Sequence, residues 1–139
     1  MRATACSLLI AASLAGTPLH AGEVSLSLEL NAVTEQDSGC RVTFVATNGL
    51  AADLSALVVE AVIFTPEGLV DRLALLDFQS LPQTRLRVRQ FDLPGLTCGR
   101  IGQVLINAVG TCTGDGLAQE ACAQAMSVTS RIPTITITG

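Results

Sequence analysis

The chain has 139 residues and a mass of 14.4 kDa, a length that holds one compact domain and excludes two. Hydrophobic residues make up 49% and charged ones 14%, against roughly 25% charged in ordinary soluble domains. No apolar run reaches the ~20 residues of a spanning helix, which excludes a polytopic membrane protein. There is no Lys and a single His, so most general bases and metal ligands are missing, and a pI near 4.7 argues against nucleic acid as a partner.

Residues 1–21 have the three-part layout of a secretory leader: Arg2, an apolar stretch over 3–16, and the polar end Thr17-Pro18-Leu19-His20-Ala21. Cleavage is expected after Ala21, with Ala15 as the alternative. Cys6 lies inside the apolar run, which does not fit a lipoprotein. The expected product is a single domain over 22–139, periplasmic or secreted. It no longer contains Cys6, His20 and Arg2, and its seven Arg against twelve acids give a formal charge of −5. Four cysteines remain: Cys40, Cys98, Cys112 and Cys122. An even set in an oxidising compartment reads as two disulfides, with three connectivities. Zinc is not expected, because there is no Cys-x-x-Cys spacing and no His outside the leader.

Seven strands are expected in chain order. Val24, Leu26, Leu28 and Leu30 alternate with polar residues over 24–31, the period of a half-buried strand. A turn cluster at 35–39 leads into the second strand, 40–47, which Asn48-Gly49 ends. The third, 57–65, is apolar on both faces apart from Glu60. Thr65-Pro66-Glu67-Gly68 has the chemistry of a tight turn and joins it as a hairpin to the fourth, 69–78. The fifth, 84–93, alternates arginines with Leu86 and Val88. The sixth covers 103–109. Residues 111–126 form a loop with one or two helical turns, and the seventh covers 128–138 with a bend at Pro133, where the apolar parity changes.

Seven short strands separated by Gly, Pro and Asn turns predict an all-β, antiparallel immunoglobulin- or fibronectin-like sandwich. In that topology the second and fifth strands are neighbours, which brings the region of Leu93 beside Cys40, with Cys98 one short loop further on. Cys112 and Cys122 lie at the opposite end. The expected disulfides are therefore Cys40 with Cys98 and Cys112 with Cys122.

Three features are candidates for function. Val58, Glu60, Val62 and Phe64 share one parity of the third strand and would form an outward apolar face with one charge, suited to a protein partner; buried and unpaired, Glu60 would instead look like a catalytic acid. Arg85, Arg87 and Arg89 share one parity of the fifth strand about 7 Å apart, either as an anion-binding stripe or as a solvated face paired with acids such as Glu29 or Asp71. Asp115 has only Glu120 nearby, too few oxygens for a calcium loop. No His or Lys is available to activate a nucleophile, and no pair of acids is singled out for glycoside hydrolysis. No catalytic residue, metal or cofactor is expected.

The segments Gly39-Cys40-Arg41-Val42-Thr43-Phe44, Val62-Ile63-Phe64, Gly68-Leu69-Val70, Phe91-Asp92-Leu93-Pro94 and Ile101-Gly102-Gln103-Val104-Leu105-Ile106-Asn107 resemble small exported alphaproteobacterial proteins labelled as Tat-pathway signal-sequence-domain proteins. This leader carries one Arg and no twin pair, which directs the expectation to the general secretory route. The resemblance implies export and a β-sandwich, and carries over no catalytic residues. The expected function is a non-enzymatic protein-interaction or envelope-associated module; the alternative is a small-ligand or anion-binding domain using the arginine strand.

Overall fold

The computed structural model describes residues 24–139, and the expected leader, with the cleavage expected after Ala21, lies outside the described residues. Eight strands form two four-stranded sheets. The first sheet has the order β5-β2-β1-β7 and the second β4-β3-β6-β8. The strands are β1 (Leu26–Gln36), β2 (Gly39–Asn48), β3 (Leu54–Phe64), β4 (Val70–Leu81), β5 (Leu86–Pro94), β6 (Gln103–Gly114), β7 (Met126–Ser130) and β8 (Thr136–Thr138). A short 3-10 turn at Cys98–Arg100 precedes β6, and a five-residue helix α1 (Ala121–Ala125) follows it, in the loop where helical turns are expected.

The period-two patterns produce this arrangement directly. Leu26, Leu28 and Leu30 of β1, Val42, Phe44 and Ala46 of β2, and Leu57, Val59, Ala61 and Ile63 of β3 are buried and fill the space between the sheets. Three of the four Phe, Phe44, Phe78 and Phe91, meet edge to face with centroids 5.1 to 6.0 Å apart, the arrangement that the ring quadrupoles favour. The fourth, Phe64, is outside that cluster.

The turn at 65–68 forms as its residues dictate. Gly68 N donates to Thr65 O at 2.9 Å and Thr65 N to Leu69 O at 2.8 Å. Gly68 has φ +82°, a conformation that costs Gly little and a β-carbon-bearing residue more. At the other end of β3, buried Asn48 closes the β2–β3 connection. Its Nδ2 donates to Ala52 O and Leu81 O, and its Oδ1 accepts from Leu50 N, all within 2.8 to 2.9 Å. The amide therefore satisfies three backbone groups in a place that water does not reach.

Both expected disulfides are present. Cys40 pairs across the sheet with Leu93, and its sulfur is bonded to Cys98 with a Cα separation of 4.9 Å. Cys112 is bonded to Cys122 with a Cα separation of 6.0 Å. They staple opposite ends of the sandwich, and such bonds belong to an oxidising, extracytoplasmic environment.

The count of seven strands is corrected to eight. The chain over 126–138 does not run as one bent strand. β7 pairs parallel to β1, from Leu26↔Met126 to Leu30↔Ser130; the chain then reverses through a turn in which Ile135 N donates to Ile132 O. It crosses to the other sheet, where β8 pairs parallel to β6 at Gln103, Val104 and Leu105. Pro133 lies in the reversal, where its missing N–H costs no ladder bond, and Ile135 is buried in the core at the crossing.

Candidate functional site

β4 and β5 are the outer strands on the same side of the sandwich, one from each sheet. Along this side the sequence expectation for the arginines changes. Phe91 packs on the core and Leu93 is buried, and Arg87 and Arg89 share their parity, which faces the gap between the sheets; Leu86, Val88, Gln90 and Asp92 point outward. Arg89 reaches across the gap: Nε donates to Phe78 O at 2.7 Å and Nη2 to Ser80 O at 2.9 Å. Arg72 on β4 reaches back, Nη1 donating to Pro94 O at 2.6 Å. The two guanidinium groups lace the open side reciprocally. Carbonyls of a strand edge accept from fixed donors, which blunts that edge against added strands. Gln79, with φ +58°, kinks β4 at the same place while Asp77 Oδ1 accepts from its N–H.

Arg85, Arg87 and Arg89 therefore do not form one solvated stripe. Arg85 is exposed and lies just before β5; Arg87 donates to its own neighbour's carbonyl, Leu86 O. None of the three pairs with Glu29 or Asp71. Those acids are taken by Arg131 at 2.9 Å and Arg72 at 2.6 Å. Arg41 holds Asp92, and Arg100 holds Glu67. Hydrogen bonds from Asn31 and then Arg131 hold the Glu29 carboxyl below the usual carboxylate range; the Arg41 guanidinium does the same for Asp92, and the Thr65 hydroxyl, with help from Arg100, for Glu67.

The third-strand residues lie on the outward face of the second sheet, on one parity between β4 and β6. Register places Leu73, Val62 and Leu105 in one row, Leu75, Glu60 and Ala108 in the next, and Val70, Phe64 and Gln103 in a third. Val62 is only 7% exposed although it points away from the core, because apolar neighbours on both sides cover it. Val58, Glu60 and Phe64 are half-buried. Glu60 is not an isolated acid: Asn107, at a bulge of β6 between Ile106 and Ala108, donates Nδ2 to its Oε1 at 2.5 Å.

The most exposed apolar side chains of this face come from β4 and its turn, which sequence reasoning passed over. Leu69, Val70, Leu73 and Leu75 are 56 to 71% exposed. Leu73 and Leu75 stand out from an alternating strand whose other parity, Leu76 and Phe78, is core. A smaller apolar spot on the first sheet consists of Leu86 and Val88 beside Val45. Val70, Leu73 and Leu75 cluster as aliphatic side chains on one sheet face, with Glu60 and Asp77 beside them, an exposed patch of the kind that suits a contact. A hollow of about 290 Å³ at the other end, lined by residues that include Asp53, Ser55, Ser80 and Asp115, offers two carboxylates. One of these, Asp53, already accepts from Gln83 N at 2.7 Å. Among the described residues no three His, Cys, Asp or Glu converge as metal ligands, and no helix is long and apolar enough to cross a membrane.

No family model, no curated protein and no solved structure matches this chain.

Proposed function

We propose that this protein is an exported, non-enzymatic interaction module of the cell envelope or its surroundings, and that its contact surface is the outward face of the second sheet. The observation that carries the proposal is the exposure of Leu73 and Leu75 above covered Val62 and half-buried Phe64. Burying two such leucines is worth on the order of 1.5–3 kcal/mol each, and nothing in the sandwich itself uses them. Export is supported by the leader-like residues 1–21 and by two disulfides. An immunoglobulin- or fibronectin-like classification is part of the same proposal: the orders β5-β2-β1 and β4-β3-β6 support it, with the departure at β7 and β8. The resemblance to the exported alphaproteobacterial proteins is compatible with this reading.

The anion-binding alternative loses its support at Arg89, whose donors are committed to Phe78 and Ser80. The test is capture of partners from an envelope extract by wild type, Leu75→Asp and Arg87→Ala. Leu75→Asp should lose partners that Arg87→Ala retains; the reverse pattern would return the function to the arginine strand. Val62 is unsuited to this test, because at 7% exposure an added carboxylate would be desolvated within the face.

A further inference from the structure

Asn48-Gly49 ends β2, and in an unfolded chain an Asn followed by Gly is the pair most disposed to deamidate. The Gly49 backbone nitrogen attacks the Asn48 side-chain carbon Cγ, an approach that glycine, without a side chain, leaves unhindered. The new N–Cγ bond forms as that nitrogen gives its proton to solvent, and the amide nitrogen leaves as ammonia. Water then opens the cyclic succinimide to Asp or isoaspartate. The other two Asn of the chain, Asn31 and Asn107, each precede Ala.

In the folded protein every group of this reaction is engaged. Gly49 N, the nucleophile, donates to Ser25 O at 2.8 Å. The Asn48 side chain is fully buried and held by Ala52 O, Leu81 O and Leu50 N, while its main-chain carbonyl accepts from Thr84 N at 2.9 Å. Swinging Cγ onto Gly49 N breaks the side-chain bonds and the bond to Ser25 where no water replaces them.

The fold also keeps this labile pair in place. A β-carbon on Gly49 would stand 2.5 Å from Ser25 O, so a larger residue there forces the backbone to shift. The Asn48 amide supplies two donors and one acceptor, whereas the carboxylate that deamidation leaves has no donor. It would set a buried negative charge against Ala52 O and Leu81 O and leave both carbonyls without their partner.

We propose that Asn48-Gly49 is a fold-gated deamidation site, closed in the native protein, open in the unfolded chain, and irreversible in its effect, because a chain that has deamidated cannot rebuild the β2–β3 connection. The gate is set by long-range structure: Leu81 ends β4 and Thr84 precedes β5, so the site closes only when both hairpin partners have docked. A chain that stays unfolded or reduced therefore ages covalently, and refolding competes with that chemistry. The protection of the native protein equals the free energy of the opening that frees Asn48.

The experiment ages purified wild type in mildly alkaline buffer in two forms, oxidised and folded, and reduced in urea. Peptide mapping by mass spectrometry follows the amide-to-acid conversion at Asn48, with Asn31 and Asn107 as internal references. Conversion at Asn48 should be at least about a hundredfold faster in urea, the ratio given by an opening that costs about 2.8 kcal/mol. The aged urea sample is then returned to oxidising, native conditions. The folded fraction should contain only unconverted Asn48, with the converted chains left unfolded or aggregated. Asn48→Asp, made directly, should lack the native circular dichroism or unfold at a clearly lower urea concentration. Equal conversion of Asn48 in the folded and urea samples would overturn the gate, as would an Asn48 that stays intact in urea. Converted chains recovered in the folded fraction, or an Asn48→Asp protein with the wild-type urea midpoint, would overturn the irreversible step.

Discussion

Removing the two disulfides one at a time tests how each cross-link stabilises the sandwich. In the chain-entropy account a cross-link stabilises by shrinking the unfolded ensemble, and its effect grows with the logarithm of the loop it closes. The separations are 58 residues for Cys40–Cys98 and 10 for Cys112–Cys122. These correspond to about 4.2 and about 2.7 kcal/mol at 25 °C. The variants Cys40→Ala/Cys98→Ala and Cys112→Ala/Cys122→Ala each remove two sulfurs, with Cys40, Cys112 and Cys122 buried and Cys98 half-buried. The cavity contributions are therefore similar, and the difference between variants, about 1.5 kcal/mol, isolates the loop entropy. Urea denaturation should be followed by far-ultraviolet circular dichroism, because the chain has neither Trp nor Tyr. The urea dependence of the unfolding free energy should steepen in both variants as the unfolded chain expands. Equal losses, or a larger loss from the short loop, would refute the entropy argument. They would indicate instead that the loop carrying α1 is held by Cys112–Cys122 in a way that matters to β7.

Two further outcomes follow from the side-chain geometry. Arg89→Ala should cost about 1–2 kcal/mol by removing two charge-assisted hydrogen bonds that join the sheets, whereas Arg87→Ala should change stability by less than about 0.5 kcal/mol; equal effects in urea denaturation would contradict the lacing. Stability should be level between pH 6 and 8 and fall in acid. Glu29, Glu67 and Asp92 have native pKa values below their ordinary ones, so their contribution is complete above the ordinary carboxylate range and is lost as pH falls through the lowered native values. A thermal-midpoint series showing an inflection near pH 6.5 would contradict this, since the only His is His20, in the leader-like segment.

Much of the fold can be read from local pattern. The alternations in β1 and β2, the Thr65-Pro66-Glu67-Gly68 turn and both cysteine pairs depend on short-range chemistry or on one strand adjacency, and each appears as expected. The arginine strand does not follow pattern alone. Alternation of Arg with Leu and Val says that two faces differ, and burying the aliphatic one is the natural inference. At an outer strand, however, the inward position opens onto the neighbouring sheet's edge, where a long guanidinium finds carbonyl acceptors that a leucine could not use. Leu86 and Val88 are consequently the exposed residues.

The change of parity at Pro133 reads as a bend within one strand, because parity does not say which sheet a strand joins. That choice is made by long-range pairing with β1 and β6. Glu60 shows the same limit at a single residue: its partner Asn107 depends on a bulge in β6, and a bulge is a matter of register between strands. Leu73 and Leu75 fall within the fourth expected strand, 69–78, and become a surface only when Val62 and Leu105 are placed beside them.

The claim that the second sheet's outward face is the contact surface is tested most directly by methyl-resolved NMR. Dilute protein with labelled Leu and Val methyls would be titrated with unlabelled envelope extract. Line broadening should begin at Val70, Leu73 and Leu75, while the core methyls of Leu28 and Leu57 follow only the overall tumbling. Broadening confined to Leu86 and Val88, with Leu73 and Leu75 unchanged, would contradict the account.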